Sequence, residues 1–297
     1  MEKSKKIIVN SRFFKEKKQN KIYYLYYISD MLKLNYSVFS LSFIYIGMLL
    51  AGIPTLAEFL LLNIAAVSAR ASGMAANRYI GYDYDKKNPK KKEWSSVKIF
   101  SKSKIFIIFI IFSILLIISA FFLNTLAFIL SPLIILLFII EPKLKKYTEH
   151  RHIIMGMVNG LGIFAGYIAI KGILPLFPSI IILWLGYSFM LGGSDIIYSM
   201  NYVEFDKNNN LKTYPSLYGK DKSEIYSYWF HTLSILFFIM FGILMNSLII
   251  IIAVIIAAIT IFIWHLKRRI SKFNIPFSYY NGMISIIILL SVILTKL

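Results

Sequence analysis

Apolar residues in this chain come in long runs separated by short polar turns, and many runs approach the roughly 20 residues an α-helix needs to cross hydrocarbon. Nine membrane segments are predicted, over residues 26–51, 55–79, 103–121, 123–142, 152–172, 176–200, 224–245, 247–266 and 278–295. Helices are required, because a spanning segment must satisfy its backbone polar groups internally. The run IIIIAVIIAAITIFIW has a strand-like composition, but its length favours a helix in lipid. The predicted fold class is therefore all-α, a polytopic membrane protein.

Composition agrees with that pattern: 58% of residues are apolar and the mean hydropathy is +0.68. A formal net charge of +19 raises nucleic acid as a partner. Its distribution argues against one, since lysines and arginines gather at the ends of apolar segments. They fill the N-terminal arm, the loop around 80–102, KLKKYTEHR at 143–151, the loop around 201–223, and KRRISK at 267–272. The intervening turns AGIPTLA, FFLNTLA and KGILPLFP hold almost no charge. This alternation predicts a cytoplasmic N-terminus and cytoplasmic charged loops, with the C-terminus outside. Residues 1–25 read as a basic cytosolic arm without a cleavable signal, and 26–297 as one membrane domain. Cysteine is absent, which excludes disulfides, thiolate metal sites and a cysteine nucleophile.

Two charged loops carry acids directly after apolar segments. NRYIGYDYDKKNPK holds Asn77, Asp83 and Asp85; the other follows GGSDIIYSMN, whose Asp195 is still in the sixth segment, and reads YVEFDKNNNLKTYPSLYG, with Glu204 and Asp206. Their similar placement suggests two pseudo-equivalent helical units facing a central cavity. Carboxylates of this kind, with Mg²⁺, suit a diphosphate, whose charge must be neutralised before it can leave. Asp83 and Asp85 are two apart, as are Glu204 and Asp206, so on a helix the members of each pair diverge. Asn77 lies about two turns before Asp85 and shares its face.

Other polar residues fall in apolar surroundings. Arg70 sits within the second segment, and Asp195 lies one turn from Tyr198 near the end of the sixth. Charges so placed line a cavity or form an interhelical clamp. Lys145 and Lys146 would hold a diphosphate electrostatically, yet lysines are also expected at any cytoplasmic helix end. His150 and His152 lack convincing partners for a transition metal, and His231 and His265 fall at scattered helix ends.

Taken in order, LKLNYSVFSLSFIYIGMLLAG, ARASGMAANRYIGYDYDKKNP, EPKLKKYTEHRHIIMG and GGSDIIYSMNYVEFDKNNNLKTYPSLYG make the chain resemble the UbiA superfamily of intramembrane prenyltransferases, near its 4-hydroxybenzoate and menaquinone-pathway branch. The resemblance implies nine helices around a cavity and two aspartate-rich motifs. It implies Mg²⁺-dependent transfer of a prenyl group from its diphosphate to an aromatic acceptor. Residue by residue, it places Arg70, Asn77, Asp85, Lys145, Asp195 and Asp206 at the site, with Lys146 where the family has arginine.

The chain departs from the motifs at two positions. Gly81 stands where an aspartate follows Asn77 by four residues, and Tyr202 where an aspartate precedes Asp206 by four. Asp83 and Glu204 are candidates to replace the missing metal ligands. The region KKKEWSSVKIF lacks the family's threonine, arginine and glycine arrangement. Three readings follow: a transferase; a catalytically inactive structural subunit or lipid/quinone-binding protein with a persistent membrane-protein partner and a blocked acidic pocket; and a transporter accessible from both sides.

Overall fold

Among the described residues, four helices start at a capping side chain, which satisfies backbone N–H groups that lipid cannot. Thr55 accepts from the backbone N–H of Glu58, whose carboxylate accepts in turn from that of Thr55. Ser101 accepts from Lys104, Asn124 from Ala127 and Thr213 from Ser216 in the same way.

The computed structural model describes residues 21–33, 37–88, 96–270 and 277–296, and its regular structure there is all helical. The helices are α1 (Lys21–Leu32), α2 (Ser37–Ala51), α3 (Leu56–Ile80), α4 (Tyr82–Lys87), α5 (Ser96–Ile99), α6 (Lys102–Leu123) and α7 (Thr125–Ile140). There follow α8 (Arg151–Lys171), α9 (Pro178–Ser199), α10 (Val203–Asn208), α11 (Tyr214–Leu244), α12 (Leu248–Ile270) and α13 (Phe277–Lys296). Short 3₁₀ turns occupy Glu141–Lys146 and Met200–Tyr202.

Among the described residues, eight helices are long and apolar enough to cross a membrane, against the nine segments expected. The difference lies at 26–51, which is divided between α1 and α2. Lys33 closes α1 with a left-handed φ of 52°, and its ammonium turns back onto Asp30 at 2.7 Å. Before the seventh segment, predicted from 224, α11 is kinked at Gly219, whose φ of 80° is non-helical, so a short helical stretch from Tyr214 precedes the spanning part at a different angle. Most of the arm predicted over 1–25, and most of the KKNPKKKEW stretch, lie outside the described residues.

Lipid is as apolar as the side chains it surrounds, so close packing rather than exclusion from water holds membrane helices together. The backbones of α2 and α8 meet at glycines: a Cβ on Gly47 would strike the carbonyl of Ile163, and one on Gly166 that of Ile44. Gly156 brings α8 equally close to Ser188 of α9. Around these contacts one core joins α2, α8, α9, α11, α12 and α13 through Phe43, Ile163, Tyr187, Phe238, Val254 and Ile288. A second core joins α1, α3 and α6 through Met31, Ala71, Ala75, Ile105 and Phe109. Ile107, Ile111, Ile114 and Ile118 of α6 remain exposed, as a lipid-facing stripe requires.

Each acidic segment is built alike. The long helix α3 stops at Gly81 and the six-residue α4 follows; α9 passes through the Met200–Tyr202 turn into the six-residue α10.

Candidate functional site

A cavity of about 1220 Å³ lies between the helices, walled by apolar residues such as Leu62, Leu116, Ile134 and Val158. Leu133 and Leu174 also line it and are more than half exposed, marking a rim on the apolar surface. Its polar residues come from several elements. Arg70 and Asn77 lie on α3, Asp85 on α4, Asp195 and Tyr198 on α9, and Asp206 on α10, with Lys145 and Lys146 on the turn after α7.

That turn connects the two acidic segments. The backbone N–H of Lys212 donates to the carbonyl of Lys145 at 2.6 Å, and Lys212 Nζ donates to the carbonyl of Tyr147 at 3.2 Å. On the other side, Lys146 Nζ stands 5.3 Å from the centre of the Tyr84 ring. Lys145 interacts electrostatically with Asp85, Asp195 and Asp206 together, and with Arg151. The two lysines thus sit where both acidic ends converge.

The carboxylates differ in what they hold. Arg78 Nη1 donates to Asp85 Oδ2 at 3.0 Å, and the Thr213 hydroxyl donates to Asp206 Oδ2 at 3.2 Å. Asp195 Oδ2 takes Arg151 Nη1 at 3.1 Å and His152 Nδ1 at 2.7 Å. The backbone N–H of Tyr214 donates to His152 Nε2 at 3.4 Å, so the ring proton belongs on Nδ1, facing Asp195. Arg151 Nη2 also donates to Glu141 Oε1 at 3.3 Å.

Asp83 and Glu204 do not line the cavity. Asp83 is 69% exposed and accepts from Lys102 Nζ at 2.8 Å, a bond that holds its carboxyl below the usual aspartate range. Glu204 is exposed. Two-residue spacing on a short helix turns each away from its neighbour, which is the divergence the periodicity predicts. At the altered motif positions, an ideal Cβ on Gly81 would lie 4.0 Å from Asp85 Cγ. The Tyr202 hydroxyl meets that of Tyr198 at 3.2 Å.

The structure also brings together residues that the sequence reading passed over. Arg78, Glu141 and Arg151 line the cavity, and His152 is buried as a partner of Asp195. His231 and His265 are likewise not scattered: His231 Nδ1 and His265 Nε2 are 2.8 Å apart in the interior. Arg78 lies seven residues before Asp85, about two turns, a spacing that carried the signal.

The donors present do not form a ready Mg²⁺ site. Among the described residues, no three His, Asp or Glu side chains converge as metal ligands. Of the cavity-lining carboxylates, Asp85 is already held by Arg78 and Asp195 and Glu141 by Arg151, which leaves Asp206 without an arginine partner among the described residues.

A model of the family described as "UbiA prenyltransferase family" matches residues 40–280. The 4-hydroxybenzoate octaprenyltransferase of Francisella tularensis subsp. novicida is 26% identical over 197 residues, covering 65% of this chain and 67% of that protein. Among solved structures, the apo UbiA homologue of Aeropyrum pernix K1 superposes with a TM-score of 0.77 at 27% identity, covering 89% of this chain and 98% of the other. A UbiA homologue of Archaeoglobus fulgidus, bound to DMAPP and Mg²⁺, gives 0.67 at 16% identity over 91% and 98% of the two chains, a likeness of fold.

Proposed function

The chain belongs to the UbiA prenyltransferase family, and from that premise we propose that it transfers a prenyl group from a prenyl diphosphate to an aromatic acceptor in the membrane. The observation that carries this reading is one cavity with two characters. Its polar end gathers Asn77, Asp85, Lys145, Lys146 and Asp206, and apolar side chains wall the remainder. A diphosphate suits the first region and a prenyl chain the second. A structural subunit with a blocked pocket suits neither.

In the proposed reaction the allylic C–O bond breaks and its electron pair leaves with the diphosphate. Lys145 and Lys146 neutralise the growing negative charge, while Asn77 orients the phosphate oxygens. Carbocation character develops at the allylic carbon, and a ring carbon of the acceptor attacks it. Loss of a proton or carboxyl group from that carbon restores aromaticity. Arg70 and Tyr198 are assigned to the wall around the reacting groups. Asp195, fixed by Arg151 and His152, is assigned to holding that wall in place. The aromatic acceptor rests on the Francisella relative, and the charged end is assigned to the cytoplasm on the distribution of lysines.

The test is product formation and pyrophosphate release by the purified protein in lipid, with a panel of prenyl diphosphates and aromatic acceptors. Turnover lost in Asp206→Asn supports the reading. Absence of turnover across the panel, with folded protein and an active control enzyme, overturns it in favour of the structural-subunit reading.

A further inference from the structure

Arg78, Arg151 and Arg268 line the cavity, and each buries a guanidinium N–H without a hydrogen-bond partner: Nε of Arg78, Nε of Arg151 and Nη1 of Arg268. A guanidinium only donates, and an unpaired buried donor is costly. Three such donors around one cavity call for a ligand composed of acceptors. Charge points the same way. Among the described residues the lining contains nine lysines and arginines against four aspartates and glutamates. Three of those four carboxylates already hold arginines: Asp85 holds Arg78, while Asp195 and Glu141 hold Arg151.

We propose that Arg78 is the resident cation of this site, and that with Lys145 and Lys146 it holds the diphosphate directly, without a divalent metal ion. The inference rests on the reading that the cavity takes a prenyl diphosphate, and departs from the Mg²⁺ dependence that the sequence resemblance implied. Mg²⁺ would have to bridge Asp85 and Asp206 to the phosphates. Arg78 stands on Asp85, and the charge of Lys145 acts on both carboxylates. A dication entering there meets cations already paired with its ligands.

The guanidinium supplies much of what the metal would. Its planar fork engages a carboxylate through one N–H and presents another to a phosphate oxygen. In Arg78 the first is Nη1, directed at Asp85 Oδ2, and the second is the unpaired Nε–H. Asp85 is then a positioning residue for Arg78, and no metal-binding carboxylate needs replacing where Gly81 and Tyr202 depart from the motifs.

Calorimetric titration of the full chain in lipid nanodiscs, with inorganic pyrophosphate and with geranyl thiolodiphosphate, tests this in EDTA and in Mg²⁺. The wild-type chain is expected to bind both probes in EDTA with an affinity within about threefold of that in Mg²⁺, a difference below the tenfold step of about 1.4 kcal/mol. Arg78→Gln is expected to weaken binding about 10- to 100-fold in both media, the size of a lost charge-assisted hydrogen bond. Arg78→Lys, which keeps charge but not the fork, should recover part of the loss. Binding of the wild-type chain in Mg²⁺ but not in EDTA overturns this inference alone. So does unchanged affinity in Arg78→Gln. Failure of both probes in both media overturns the diphosphate reading and this inference with it. The wild-type comparison involves no variant, so it decides the matter even if Arg78→Gln does not fold.

Discussion

Arg151 Nη1 lies 3.1 Å from Asp195 Oδ2, and the arginine side chain is 4% exposed. Its other terminal nitrogen holds Glu141, so one buried guanidinium neutralises two carboxylates from different elements. Removing one partner of a buried ion pair costs about 3–5 kcal/mol, because the remaining charge is left without compensation. Arg151→Met is therefore expected to lower the unfolding temperature in detergent sharply. Adding Asp195→Asn and Glu141→Gln to it should restore much of the loss, since neither carboxylate is then left charged without its arginine. Additive destabilisation across the three substitutions would count against this account.

Helix approach at glycine gives a prediction independent of charge. A Cβ at Gly156 meets the backbone carbonyl of Ser188, which has no flexible side chain to yield, whereas a Cβ at Gly282 meets nothing within 4 Å. Gly156→Ala is expected to destabilise by about 1–3 kcal/mol, the usual cost of overpacking. Gly282→Ala should be neutral or stabilising by about 0.5–1 kcal/mol, as alanine replaces glycine inside a helix. Thermal unfolding of both in the same detergent checks the contrast; equal melting temperatures would remove the argument for close backbone contact.

Much of the fold was legible because lipid imposes length and apolarity on each spanning segment. Residues 26–51 read as one apolar run and are described as two helices, α1 and α2, with a left-handed Lys33 closing the first. The candidate site was legible in its residue types and less so in its pairings. Asp83 and Asp85 look alike in sequence, but one faces Lys102 and the other Arg78. Arg151 read as the end of a charged loop and His152 as the start of the fifth segment, because only the arrival of Asp195 from α9 shows that they are buried together. His231 and His265 meet through tertiary packing across 34 residues of sequence, which no local period reveals.

The orientation of the acids sets an order for their substitution. Asp85 and Asp206 line the cavity; Asp83 and Glu204 do not. Asp83→Asn and Glu204→Gln are expected to leave kcat/KM for prenyl transfer within about twofold of the wild-type chain, as for surface substitutions away from such features. Asp85→Asn and Asp206→Asn should each lower it about 10- to 100-fold, through misplaced Arg78 in the first case and loss of a charged acceptor beside Lys145 in the second. Steady-state kinetics on the four variants decides; losses in the outward-facing pair equal to those in the cavity pair would contradict the assignment.

Restoring the two altered motif positions should change which cation the site uses. Gly81 has an ordinary φ of −81°, and its Cβ would lie 3.1 Å from the Asn77 carbonyl and 4.0 Å from Asp85 Cγ, so Gly81→Asp introduces a second carboxylate near the one that Arg78 holds. The new acid draws Arg78 away from Asp85 and leaves oxygen ligands available. Tyr202→Asp sets a carboxylate one turn before Asp206 and removes the hydroxyl bonded to Tyr198. Each acidic segment then carries two acids at a spacing that suits Mg²⁺ bridged to phosphate oxygens. In the double variant, geranyl thiolodiphosphate binding is expected to weaken about tenfold or more in EDTA and to recover with Mg²⁺, an energy of about 1.4 kcal/mol per tenfold step. Mn²⁺ in place of Mg²⁺ provides a second readout, as a protein-bound paramagnetic signal in the double variant that the wild-type chain lacks. If the double variant binds equally well in EDTA and Mg²⁺, carboxylate number does not set metal dependence here, and the role given to Arg78 loses its physical basis.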